Sequence, residues 1–233
     1  MERKRVGVIL SGCGVYDGSE IQETVLILLA LAKREAVAVC LAPNQSQMHV
    51  VNHLTGELAS GETRNVLEES ARIARGAVTD LKSAEAASLD ALILPGGFGA
   101  AKNLCDFATK GAECAVLPEV ERLMLEIRQA NKPIGVACIA PVIAAKVLGA
   151  LGPELTIGDD PETAAAMERM GARHTVCPAT GYHVDAALKL VSTPAYMNAS
   201  GIGEAAQGID GMVAAVLHLT GVAEGSRLRV EGE

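Results

Sequence analysis

Aromatic residues are nearly missing from this 233-residue chain: there is no tryptophan, and two phenylalanines with three tyrosines make only 2%. A core without large rings must be filled by Ala, Val, Ile and Leu, which suits helices packed closely on a parallel sheet. At 49% hydrophobic residues, enough apolar material is present for one sizeable core. Positive charge is also in short supply. Against 28 Asp and Glu stand 20 Lys and Arg, a formal charge of −8, and no stretch concentrates the cations. The counterion release that drives nucleic-acid binding has no source here, so small molecules are the expected partners. No apolar run reaches the roughly 18 residues that span a bilayer, which argues against a membrane partner. The basic Met1-Glu2-Arg3-Lys4-Arg5 leads into apolar Val6–Leu10, but that run stops at Ser11-Gly12 without a cleavage pattern, so it is expected to be a first strand. The six cysteines include no Cys-x-x-Cys, and the five histidines no His-x-x-x-His. The chain is therefore expected to hold no metal and to reside in a reducing cytoplasm.

Along the chain, strand-like and helix-like patterns alternate. Strands are expected at Val6–Leu10, Ala36–Leu41, Asp90–Pro95 and Ile134–Ala137, and helices at Ile21–Ala32, Glu62–Ala74, Pro118–Ala130 and Ile139–Leu148. Asp90–Pro95 is a short apolar run ending in Gly96-Gly97, the form of a buried central strand entering a tight turn. The last third adds a short apolar Leu155–Ile157, a helix over Glu162–Met170, strands near His174–Val176 and Leu188–Ser192, and a closing helix over Gly203–Leu219. This alternation predicts one doubly wound α/β domain over residues 1–233, a three-layer α/β/α sandwich with a mostly parallel sheet.

Ligands of such sheets bind at the carboxyl ends of the strands, and three of those ends carry information. Past the first strand, Gly12-x-Gly14-x-x-x-Gly18 matches neither the dinucleotide fingerprint nor a P-loop, so nucleotide binding competes with a plain turn. Ser19 could cap the helix that follows. Glu20 and Glu23 in its first turns then satisfy the dipole equally well as helix-start residues or as site acids. Past the central strand, Gly96 and Gly97 expose N–H groups of the kind that stabilise an oxyanion, or else form a flexible turn. Past the next strand, Cys138 lies where extended chain must become helix. A thiol at a helix N-terminus is expected to have its pKa lowered, and the competing reading is an inert buried cysteine.

Long stretches of the chain resemble the ElbB-type glyoxalases, a family associated by name with isoprenoid biosynthesis, on the PfpI branch of the class I glutamine amidotransferase-like superfamily. The resemblance is carried by Gly7–Ile21 (GVILSGCGVYDGSEI), Asn52–Glu57 (NHLTGE), Glu62–Leu67 (ETRNVL), Pro95–Leu104 (PGGFGAAKNL) and Thr193–Met197 (TPAYM). It implies a flavodoxin-like sandwich, usually a homodimer, in which Cys138 is the reactive elbow cysteine and Glu23, ahead of Glu20, the helix-borne acid beside it. Gly96, Gly97, Ile139 and Asn103 would form the oxyanion and substrate-binding set. Two departures stand out: Ile139 occupies the place of the histidine that follows the cysteine in peptidase-like relatives, and Cys177-Pro178 stands where aldehyde-handling relatives carry His-Pro. Cys–His amide hydrolysis is therefore not expected, and no general base is assigned.

The implied activity is that of a glutathione- and cofactor-independent, lyase-type enzyme that converts glyoxal, or methylglyoxal, to the 2-hydroxy acid through a Cys138 hemithioacetal. The alternative is a redox-sensing or interaction protein whose Cys138 is oxidised and whose aldehyde turnover is incidental.

Overall fold

The computed structural model describes residues 3–221. In chain order its elements are β1 (Arg5–Ile9), α1 (Ile21–Lys33), β2 (Val37–Ala42), α2 (Val66–Ala74), β3 (Val78–Asp80), β4 (Ala91–Leu94), α3 (Phe98–Asn103), α4 (Phe107–Lys110), α5 (Pro118–Gln129), β5 (Ile134–Ala137), α6 (Pro141–Leu148), β6 (Glu154–Leu155), α7 (Pro161–Arg169), β7 (Arg173–His174), β8 (His183–Asp185), β9 (Leu190–Thr193) and α8 (Ile202–Leu219). Seven strands form one sheet in the order β3-β2-β1-β4-β5-β9-β8, parallel throughout except for the β8–β9 pair. The three-layer sandwich with a mostly parallel sheet expected from the alternation is the observed architecture, in the flavodoxin-like form that the resemblance implies.

The period-two alternation of side chains divides the core between the two faces of the sheet. Ile9, Leu41, Leu92, Leu94, Ile134 and Val136 point to the side covered by α5, α6 and α7, where Leu123, Met124, Ile127 and Ile143 meet them. Val6, Val8, Cys40, Ala91, Ile93 and Ala137 point to the other side, against Ile27 and Leu31 of α1 and Ile209, Met212, Val213 and Val216 of α8. The four residues of β4 and the four of β5 are all buried, as continuous apolar runs covered by helices on both faces must be.

Several boundaries differ from the sequence expectation for local chemical reasons. The helix expected from Glu62 begins only at Val66, because the Asn65 side chain accepts from the N–H groups of Leu67 and Glu68 and so caps it. The buried helix expected from Ile139 starts at Pro141, leaving Cys138, Ile139 and Ala140 as a turn. The strand expected near His174–Val176 does not join the main sheet; it shortens to β7 and pairs with β6 in a small parallel sheet of two. Strand β8 was not expected. It reverses onto β9 through a turn in which Asp185 accepts from the Leu188 N–H and Lys189 takes a positive φ of 51°. None of the six cysteines is in a disulfide.

Candidate active site

Strands β1, β4, β5 and β9 end side by side, and the loops that leave them converge on Cys138. The backbone of Cys138 has φ 58°, a left-handed conformation that costs a non-glycine residue free energy and aims the side chain away from both strand and helix. Two ties hold it there. Its N–H donates to Thr193 O at the end of β9 (3.0 Å), and Ala140 N–H closes the turn onto Ala137 O (2.9 Å).

Glu23, from the first turn of α1, is fully buried next to this thiol. Its carboxyl hydrogen-bonds Cys138, while Oε2 accepts from the Gly96 N–H (3.0 Å) and Oε1 from the Tyr196 N–H (3.1 Å). Burial pushes the Glu23 carboxyl up to about 7; the charge of Glu20 pushes the same way, and the Tyr196, Cys138 and Gly96 donors pull it down. A carboxyl placed there is half-ionised near neutrality and can both give and take a proton.

The thiol departs from the sequence expectation. A helix-terminus cysteine was expected to ionise readily, whereas burial and the neighbouring Glu23 raise the Cys138 pKa well above its ordinary range. The opposing donors are the N–H groups of Gly97 and Ile139, and α6 itself begins three residues later, so the macrodipole acts from a distance at which it is already weak. The coupling runs in opposite directions: the carboxyl raises the thiol's pKa, while the thiol, as a hydrogen-bond donor, lowers the carboxyl's, so near neutrality the pair's negative charge rests on Glu23 and the thiol keeps its proton.

Gly96 and Gly97 are required by space. A Cβ on Gly96 would fall 2.3 Å from Cys138 Cβ, 2.7 Å from Glu23 Oε2 and 2.8 Å from Cys138 Sγ. Gly97, at φ 91°, passes so close to Glu20 N and Gly18 O that a Cβ would overlap both. The two glycines that read as oxyanion donors are thus also where β4 must approach the thiol and the first loop.

Glu20 and Asn103 sit in other roles. Glu20, not Ser19, caps α1: its Oε2 accepts from the Glu23 N–H (2.6 Å), which fixes the first helical turn and with it the Glu23 side chain. Ser19 is buried, its Oγ accepting from the Ser11 N–H (2.8 Å). Asn103, read from sequence as substrate-binding, is buried at the end of α3 with its amide engaged by protein: Nδ2 donates to Ser11 O and Asp17 O, both at 2.9 Å, and Oδ1 accepts from the Met48 N–H at 2.9 Å. It clamps the first loop to the segment after β2. Asn103→Ala should strand two buried carbonyls and the partly buried Met48 N–H and destabilise the fold by about 2–4 kcal/mol in urea unfolding. A higher KM for substrate at unchanged stability would instead return Asn103 to the binding set.

Tyr196 is the contributor that the sequence reasoning left without a role. It follows Ala195, itself at φ 44°, and its hydroxyl contacts Gln22 Oε1 while its N–H holds Glu23. Thr193-Pro194-Ala195-Tyr196-Met197 lies just past β9, a strand end of the same kind as those that carry Gly12, Gly96 and Cys138. Among the described residues no histidine hydrogen-bonds Cys138 or Glu23. The Cys177-Pro178 loop does border the elbow, since Gly181 O accepts from the Oγ1 of Thr193, whose carbonyl holds Cys138.

No family model matches the chain. Whole-chain likenesses are extensive. The chain is 50% identical over 226 residues to the human glutamine amidotransferase-like class 1 domain-containing protein 3, mitochondrial, covering 93% of this chain and 84% of that one. It is 36% identical over 208 residues to the zebrafish (Danio rerio) ES1 protein, mitochondrial, covering 82% and 76%. Among solved structures, an isoprenoid biosynthesis protein with an amidotransferase-like domain from Ehrlichia chaffeensis superposes with a TM-score of 0.85 at 36% identity, over 92% of this chain and 99% of that one. A DJ-1 variant from Schizosaccharomyces pombe shares the fold at a TM-score of 0.55 and 17% identity, over 95% and 93%. On the strength of the whole-chain identities, the chain belongs to the class 1 glutamine amidotransferase-like family that includes the ES1 proteins, built on the fold of the DJ-1/PfpI superfamily.

Proposed function

We propose that this chain is a glyoxalase that needs neither glutathione nor a cofactor and acts through Cys138. The observation that carries the reading is the Glu23–Cys138 pair: a buried carboxyl with a pKa of about 7, bonded to a thiol that faces the N–H groups of Gly97 and Ile139. The pair supplies the base for which the sequence offered no histidine. As glyoxal enters, ionised Glu23 takes the thiol proton and the sulfur adds to one aldehyde carbon. The resulting oxyanion is stabilised by the Gly97 and Ile139 N–H groups and is then protonated, giving the hemithioacetal. Moving the hydrogen of that carbon, as a proton, to the neighbouring carbonyl carbon through an enediol oxidises the first carbon and reduces the second. The product is a glycolyl thioester on Cys138. Water cleaves it, releasing glycolate and the thiol, so that glyoxal plus water gives glycolic acid. Glu23 is the group within reach of the thiol to carry protons through these steps.

The test is product formation from glyoxal and methylglyoxal without glutathione or added metal, followed by NMR. Glycolate and lactate formed with turnover support the reading; a protein that consumes neither aldehyde contradicts it. The same N–H groups could hold the oxygen of a Cys138 sulfenate, which supports the redox-sensing alternative. That alternative predicts selective oxidation of Cys138 by mild peroxide together with negligible glycolate.

The expected homodimer belongs to this proposal as well. Ile21, Val25 and Leu29 are each more than 40% exposed and recur every fourth residue, forming an apolar stripe along α1. Val25→Glu should convert a dimer to a monomer by light scattering; a wild-type monomer would remove the dimer from the account.

A further inference from the structure

At the pole of the sheet opposite the thiol, a cleft of about 440 Å³ opens where β1, β4 and β5 begin. Among the described residues its lining includes Arg3, Lys4, Arg5 and Lys132, with Asp90 the one carboxylate. In a chain of formal charge −8, four cations against one anion make a local inversion of sign, and a concave positive surface focuses its field on small anions.

The hydrogen bonds leave much of this donor capacity unused. Asp90 accepts from Lys4 Nζ (3.1 Å) and from the Arg5 main-chain N–H (2.8 Å), which ties the Lys4 ammonium and the start of β1 to it. Among the described residues the Arg5 guanidinium donates through Nε alone, to Ser88 O (3.0 Å), and Lys132 Nζ donates to Ala86 O (2.8 Å). The terminal nitrogens of Arg5 and two hydrogens of Lys132 remain for a ligand. Arg3, among the described residues, has no carboxylate partner within ion-pair distance. Two guanidinium forks and two ammonium groups around a cleft of small-ligand size are the donor set of a multiply charged oxyanion.

We propose that this cleft is a second binding site, separate from the thiol, for a small molecule carrying a diphosphate or two phosphate groups. Strand β5 spans four residues, so the cleft lies about 13 Å or more along the strand from Cys138. A ligand there would not enter the aldehyde reaction.

The probe is inorganic pyrophosphate, titrated calorimetrically into the full chain, with inorganic phosphate in parallel. The expected result is saturable one-site binding, tighter for pyrophosphate than for phosphate and weakened by added salt. Arg3→Ala and Lys132→Ala should each weaken it at least about fivefold, whereas Arg72→Ala, at the thiol pole, should leave it unchanged. Arg3 is exposed and precedes β1, so its variant keeps the test decisive if loss of the Lys132–Ala86 bond disturbs folding. Absence of saturation up to about 10 mM, or a Kd that neither Arg3→Ala nor Lys132→Ala changes, overturns the proposal. Equal weakening by all three variants also overturns it, because it would report net charge instead of a site.

Discussion

Cys138→Ala should lose conversion of glyoxal to glycolate altogether, with kcat/KM falling by about 10⁴-fold or more, because no other group in the site can form the carbon–sulfur bond. The fold should survive the change. The strained φ of 58° is carried equally by alanine, and the main-chain ties to Thr193 and Ala137 do not involve the side chain. A melting temperature near that of wild type together with lost turnover is therefore the expected pair of results. Undiminished turnover would place the chemistry elsewhere in the molecule.

Glu23→Gln should be the second most damaging change, and its effects divide by cause. Turnover should fall about 10²–10⁴-fold, the usual contribution of a positioned acid–base group. Stability should respond to geometry. Both carboxyl oxygens of Glu23 accept main-chain N–H groups, from Gly96 and from Tyr196. A protonated carboxyl still has a lone pair on each oxygen, whereas a glutamine amide turns one acceptor into a donor. Whichever way it is flipped, one buried N–H is left facing an N–H, at a cost of about 1–3 kcal/mol.

The pH dependence separates this from an ordinary packing defect. The Glu23 pKa rises from 4.5 to about 7 on folding. Folding thus favours the protonated form, and the stabilisation is fully present below pH 4.5 and lost as the pH climbs through 7. The shift is worth about 3 kcal/mol over that window. Other carboxylates work in the opposite direction. Asp210, held low by the Arg34 guanidinium, is one of them, so the signal lies in the difference between the wild-type and Glu23→Gln stability curves. Wild type should be the more stable at pH 4.5, and its advantage should shrink by about 3 kcal/mol by pH 7.5. A constant difference across that range would mean that Glu23 does not titrate there.

The fold was legible where local chemistry and tertiary role agree. Val6–Leu10, Asp90–Pro95 and Ile134–Ala137 are apolar runs because both faces of a parallel strand are covered, and each became a central strand. Three residues containing one apolar side chain, His183-Val184-Asp185, gave no such signal; β8 is a strand because it hydrogen-bonds β9. Helix α3 was hidden by Gly96-Gly97-Phe98-Gly99, whose glycines read as loop although Gly97 serves as the helix cap. The site was legible in identity but not in electrostatics. Cys138 and Glu23 could be named from position and resemblance, yet the thiol pKa depends on burial and on a carboxyl 115 positions away in sequence. Tyr196, 173 positions from Glu23, contributes a main-chain N–H that any residue type except proline could supply, so residue identity could not reveal it.

The most direct test is to incubate the protein with ¹³C-glyoxal, quench with acid during turnover, and locate the label by peptide mapping. A ¹³C adduct is expected on the Cys138 peptide of wild type and none on the corresponding peptide of Cys138→Ala. Glycolate accumulating in wild type while the Cys138 peptide stays unlabelled, with Cys138→Ala still active, would contradict it.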